Sequence, residues 1–167
     1  NDGKIEQAIE EALAFLGAID SNSCIGLATF SSDLDIVVPL DDYESVQLTL
    51  DRTIRSLRAE GGTELFGSVR DVVDYMTRQT DSERIRAIVL LSDGADTGDK
   101  GFTLNDAITA LEASYSDLNP VILIPVAYGS DADINALNAL ARASATQIQS
   151  GDPANITSVL ELISSYF

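Results

Sequence analysis

The chain has 167 residues, of which 27 are acidic and 10 basic, for a formal charge of −17 at pH 7. That charge repels phosphate backbones and anionic lipid surfaces over a screening length of roughly 8 Å, so nucleic acid is excluded as an expected partner. Cys24 is the only cysteine and there is no histidine, so neither an intrachain disulfide nor a Cys/His zinc site can be built, and any metal must be held by oxygen.

In chain order, Ile5, Ala8, Ile9, Ala12, Leu16 and Ile19 recur at helical spacing, which predicts an amphipathic helix over 4–19 with Glu6, Glu10 and Glu11 on other faces. Residues 24–30 form a short, continuously apolar run and read as a strand buried on both faces, with Cys24 a small core residue. Residues 35–40 follow after a short polar link that permits an antiparallel hairpin but no helical crossover, and Pro39 suits an edge. Val46, Leu50, Ile54 and Leu57 mark a helix, Glu60-Gly61-Gly62 breaks it, and Leu65, Val69, Val72, Val73 and Met76 mark the next one.

Residues 85–91 read as a second buried strand, 104–115 as a helix, 121–128 as a third buried strand after Pro120, and 134–143 as a short helix. A short edge strand is expected at 146–149, and Ile156, Val159, Leu160 and Ile163 mark a last helix running into Tyr166 and Phe167, with Asn155 as its cap. Strands alternating with helices predict one α/β domain over 1–167, a doubly wound and mostly parallel sheet with helices on both faces and one antiparallel edge strand. No apolar run approaches the ~18 residues of a membrane span.

In such sheets ligands bind beyond the carboxyl ends of the strands. There, Ser92-Asp93-Gly94 closes the strand 85–91 with hard oxygen donors, and Gly61-Gly62-Thr63-Glu64-Leu65 presents a hydroxyl where a helix begins. Each pattern taken alone reads as a turn and as a helix cap, respectively. Asp96 and Asp99 read as solvated loop carboxylates that raise the local negative potential.

Gly-Gly-Thr-x-Leu before a helix, followed about thirty residues on by an apolar strand ending in Ser-Asp-Gly, resembles the second and third metal loops of von Willebrand factor A domains. Gly26-Leu27-Ala28-Thr29-Phe30-Ser31-Ser32 is similar to that family's second strand, and 121–129 to its fifth. The resemblance implies a Rossmann-like fold and a divalent cation at a metal-ion-dependent adhesion site, with Mg²⁺ first and Mn²⁺ or Ca²⁺ as alternatives. It implies Thr63 and Asp93 as ligands, a protein partner whose carboxylate completes the shell, and an exported or cell-surface setting.

The family's Asp-x-Ser-x-Ser loop is expected just before Asn1-Asp2-Gly3-Lys4, at the end of a central strand between the counterparts of 24–30 and 85–91. That strand is expected from upstream residues or from another chain. With Thr63 and Asp93 alone, a cation would keep most of its waters and bind weakly. The resemblance also admits a scaffold domain beside a chelatase-type ATPase. A Mg²⁺-dependent phosphoryl-transfer enzyme is less well supported, because Lys4 and Lys100 are the only lysines and neither directly follows a strand.

Overall fold

A computed structural model describes residues 2–58, 61–79, 84–115, 119–128 and 131–150. In chain order these form α1 (Asp2–Ala18), β1 (Cys24–Phe30), β2 (Leu34–Asp42), α2 (Tyr43–Ser56), α3 (Leu65–Thr77), β3 (Arg86–Ser92), α4 (Leu104–Ser114), β4 (Val121–Ala127), α5 (Ile134–Ala143) and β5 (Gln149–Ser150). The expected last helix and the Asn155 cap lie outside the described residues.

β1 and β2 form an antiparallel hairpin, whereas β3, β4 and β5 form a parallel sheet in that order. Strand alternation divides the side chains between two helical layers. Val121 and Leu123 of β4 join Ile88 and Leu90 of β3 in a cluster with Leu65, Val69 and Val73 of α3, Leu111 of α4 and Leu137 and Leu140 of α5. The intervening Ile122, Ile124 and Val126 pack with Val89, Leu91 and Phe15 of α1 on the opposite face.

The same two layers span the hairpin. Phe30 and Leu40 pack against the α3–α4–α5 cluster, and Ile25, Leu27 and Val38 pack with α1 and α2. The Tyr75 hydroxyl of α3 accepts the Leu40 N–H at 3.1 Å, and the Tyr43 hydroxyl at the start of α2 donates to the Leu16 carbonyl at 3.1 Å. The doubly wound α/β architecture is therefore the observed one, with the hairpin as its antiparallel part.

Among the described residues β1 pairs only with β2, and β3 pairs with β4 and not with β1. The two strands nonetheless run the same way. Arg84, just before β3, donates to the Asn22 carbonyl just before β1 at 2.8 Å. At the far end, Ser31 after β1 is bonded to Glu64, and Thr63 to Thr97 after β3.

Three expectations need correction. β1 and β3 are not buried on both faces: β1 is half-buried along its whole length and β3 over most of it, whereas β4 is buried at all but its last residue. β4 is the most apolar of the three, with no polar side chain, and both of its faces pack into apolar clusters, whereas β1 carries Gly26 and Thr29 and β3 begins with Arg86. Cys24 is likewise half-buried, at the start of β1, with its thiol 3.3 Å from Asp42 Oδ1. Glu11, assigned to an outer face of α1, is 1% exposed and accepts from Gln7 Nε2 at 3.1 Å. It stands three residues after buried Ala8, so it shares the inner stripe.

Candidate metal centre

Three loops meet at the carboxyl ends of β1 and β3: the hairpin tip at 31–33, the turn at 61–64 before α3, and the segment 93–103 between β3 and α4. Gly61 adopts φ +78°, and a Cβ there would lie 3.2 Å from the Ser31 side chain, so the turn needs a glycine for its backbone angle as well as for space. Thr63, next but one, is half-buried. Its N–H donates to Thr97 Oγ1 at 2.9 Å, and its carbonyl accepts the Thr97 N–H at 2.8 Å.

Thr63 does not cap α3. The cap position is Glu64, which makes no side-chain capping bond. The first amides of the helix go instead to the Asp96 carboxylate, which accepts from Leu65 N–H at 2.7 Å and Phe66 N–H at 3.3 Å. A carboxylate at this end of a helix meets both unpaired donors and the positive end of the dipole. Asp96 is thus half-buried and structurally committed, contrary to its reading as a solvated loop carboxylate, whereas Asp99 is exposed as expected.

The Thr63 hydroxyl lies close to the loop that Asp93 opens: a Cβ on Gly94 would lie 4.0 Å from Thr63 Oγ1. Asp93 itself is half-buried. Its strand end is secured by the Tyr128 N–H, which donates to the Ser92 carbonyl at 3.1 Å, and by Ser92 Oγ, which donates to the Gly94 carbonyl at 3.2 Å. Burial pushes the Tyr128 phenol up to about 12, helped by the negative fields of Asp93 and Glu11. A threonine hydroxyl and an aspartate carboxylate are the donors that Mg²⁺, Mn²⁺ and Ca²⁺ prefer. Among the described residues no three acidic or cysteine side chains group closely enough to hold a metal by themselves.

Glu64 is 3% exposed, with its carboxylate beneath Gly98 and Gly67. A Cβ on Gly98 would fall 2.1 Å from Glu64 Oε2, so a side chain there must push the buried Glu64 carboxylate aside. Lys100 ties the loop to the hairpin through an ion pair with Asp33, and that hydrogen bond, followed by the fields of Asp33, Glu64 and Asp71, raises its pKa. Sequence reading gave no role to Glu64, Thr97 or Tyr128 and read Asp96 as solvated, because each meets a partner thirty or more residues away.

The model of the von Willebrand factor type A domain family matches residues 1–161, and the chain belongs to that family. No curated protein sequence matches it. Among solved structures it is similar to a von Willebrand factor type A protein from Catenulispora acidiphila, at 18% identity and TM-score 0.74, over 96% of this chain and 37% of that one. The chain therefore spans little more than a third of that protein. It is also similar to proximal thread matrix protein 1 from the mussel byssus with a zinc-occupied MIDAS motif (14% identity, TM-score 0.69, 98% of this chain and 42% of that one). A third is the vWF domain of the type V pili tip protein Mfa5 from Porphyromonas gingivalis, with 13% identity, TM-score 0.70, and coverage of 99% and 88%. At these identities the likeness shows the fold.

Proposed function

We propose that residues 1–167 form one von Willebrand factor A-type interaction domain in which Thr63 and Asp93 help to hold a divalent cation, and that a carboxylate of a partner protein completes the cation's shell. The observation that carries this reading is the Thr63 hydroxyl beside Gly94, the residue after Asp93, where a Cβ would lie 4.0 Å from Thr63 Oγ1. Mg²⁺ is the first choice, with Mn²⁺ or Ca²⁺ as alternatives, since all three favour oxygen donors. When bound, the cation supplies an electrophilic centre that a carboxylate can ligate.

The rest of the proposed ligand set comes from the segment expected between β1 and β3. Among the described residues β1 and β3 do not pair with each other, which supports an added strand between them, from upstream residues or from another chain. The zinc-occupied motif of the mussel protein supports metal use on this fold, and the pili tip protein supports an exported or cell-surface setting. A catalytic role has less support: Lys100 reaches the rim of the sheet but is already paired with Asp33 there, and a phosphoryl-transfer site needs a lysine for the phosphoryl oxygens.

The test is capture of a partner by the intact protein with and without EDTA, and with Asp93→Ala. Binding should need Mg²⁺ and be lost in the variant, while the folded fraction stays the same. Partner binding that survives EDTA would sink this reading and favour the scaffold alternative, a degenerate metal site in a larger assembly of the chelatase type.

A further inference from the structure

We propose that Thr97 is a positioning residue for the cation site, holding both peptide groups of Thr63 to the loop that carries Asp93; this rests on the reading of Thr63 and Asp93 as ligands. Thr97 Oγ1 accepts the Thr63 N–H at 2.9 Å, and the Thr97 N–H donates to the Thr63 carbonyl at 2.8 Å. The two bonds flank the Thr63 Cα on either side, so together they fix the direction in which its side chain leaves the backbone.

The turn has little stiffness of its own, since Gly61 and Gly62 precede Thr63 and glycine restricts the backbone least. Its order comes from outside. Gly62 lies against Thr97, where a Cβ would be 3.5 Å from Thr97 Oγ1, and the Glu64 N–H is held by the Ser31 carbonyl at 2.7 Å. Asp96 holds the first amides of α3, so consecutive residues of one loop set the helix start and the candidate ligand before it.

Thr97 is exposed, so water can replace its bonds at small cost to stability. The larger consequence is geometric: a ligand must be held within roughly 0.5 Å of its productive position. Loss of the groups that orient a metal ligand lowers affinity by about 10–100-fold.

The test is a Mn²⁺ titration of the intact protein, followed by electron paramagnetic resonance, with thermal melts of the same samples. Thr97→Val keeps the shape and the backbone N–H but removes the hydroxyl acceptor. It should weaken Mn²⁺ binding by about tenfold or more, with a midpoint shift below about 3 °C. Thr97→Ser should restore the affinity, a rescue that a purely structural role does not predict once melting is unchanged. If the valine variant does not fold, Thr97→Ala tests the same loss. Unaltered Mn²⁺ affinity in the valine or alanine variant, or affinity that falls only in step with melting temperature, would overturn the proposal. Failure of the unsubstituted protein to bind Mn²⁺ would overturn the cation reading itself.

Discussion

Replacing Asp96 with alanine separates structural support from metal ligation in the β3–α4 loop. The variant removes the acceptor of the Leu65 N–H at 2.7 Å and the Phe66 N–H at 3.3 Å, at the start of a helix whose first residue is fully buried. Loss of a helix cap costs ~0.5–2 kcal/mol, and a hydrogen bond to a charged group contributes ~1.5–3 kcal/mol. The two accounts cover the same bonds and are not summed, so the expected loss is about 2 kcal/mol. For a domain of this size that lowers the melting midpoint by about 4–8 °C. Asp96→Asn keeps an acceptor without the charge and should lose about half as much. Denaturant unfolding of the three proteins, without metal and with saturating Mg²⁺, is the assay. A loss below about 0.5 kcal/mol for the alanine variant would show that water replaces the carboxylate at this helix end. Unchanged stability with Mg²⁺ binding abolished would make Asp96 a ligand, not a cap.

Gly98→Ala should destabilise the fold by about 1–3 kcal/mol, the usual cost of overpacking, because its Cβ would meet buried Glu64 Oε2 at 2.1 Å. Combining it with Glu64→Ala should recover most of that loss in a double-mutant cycle, and additive losses would refute the contact. The Tyr128 phenol, pushed up to about 12 by burial first and then by Asp93 and Glu11, should appear as a late step in an ultraviolet pH titration. Its folded value lies above the ordinary value near 10, so its contribution is fully present below pH ~10 and is lost as pH rises toward ~12. Asp93→Asn should bring the step to lower pH, and an unmoved step would remove Asp93 from its cause.

Much of the fold is legible in the chain because its signals are local. The helical spacing of Leu65, Val69, Val73 and Met76, the apolar run at 121–127 and the short link between β1 and β2 each depend on residues a few positions apart, and all appear as read. Thr63 and Asp93 come forward as candidates for the same reason: Gly-Gly-Thr and Ser-Asp-Gly are contiguous patterns at element ends that resemble the family's metal loops. Pro39 also occupies the edge strand that its missing N–H requires.

Other features depend on what each element meets. β1 and β4 are both mainly apolar runs of seven residues, yet one is half-buried and the other almost wholly buried, because burial depends on what packs over each strand. Glu11 is charged and nonetheless faces inward, since its position on the helix is set by Ala8 three residues before it. Asp96 is spaced like any loop carboxylate, and only the packing of α3 against the β3–α4 loop brings it to amides 30 and 31 residues away. Thr97 reaches Thr63 across 34 residues in the same way. The order of helices and strands and the donor types at the rim follow from local pattern, because periodicity and side-chain chemistry are carried by neighbouring residues. Which of those donors caps a helix, which supports another and which faces the candidate site was decided by tertiary structure alone, because each depends on a contact between segments that the chain keeps far apart.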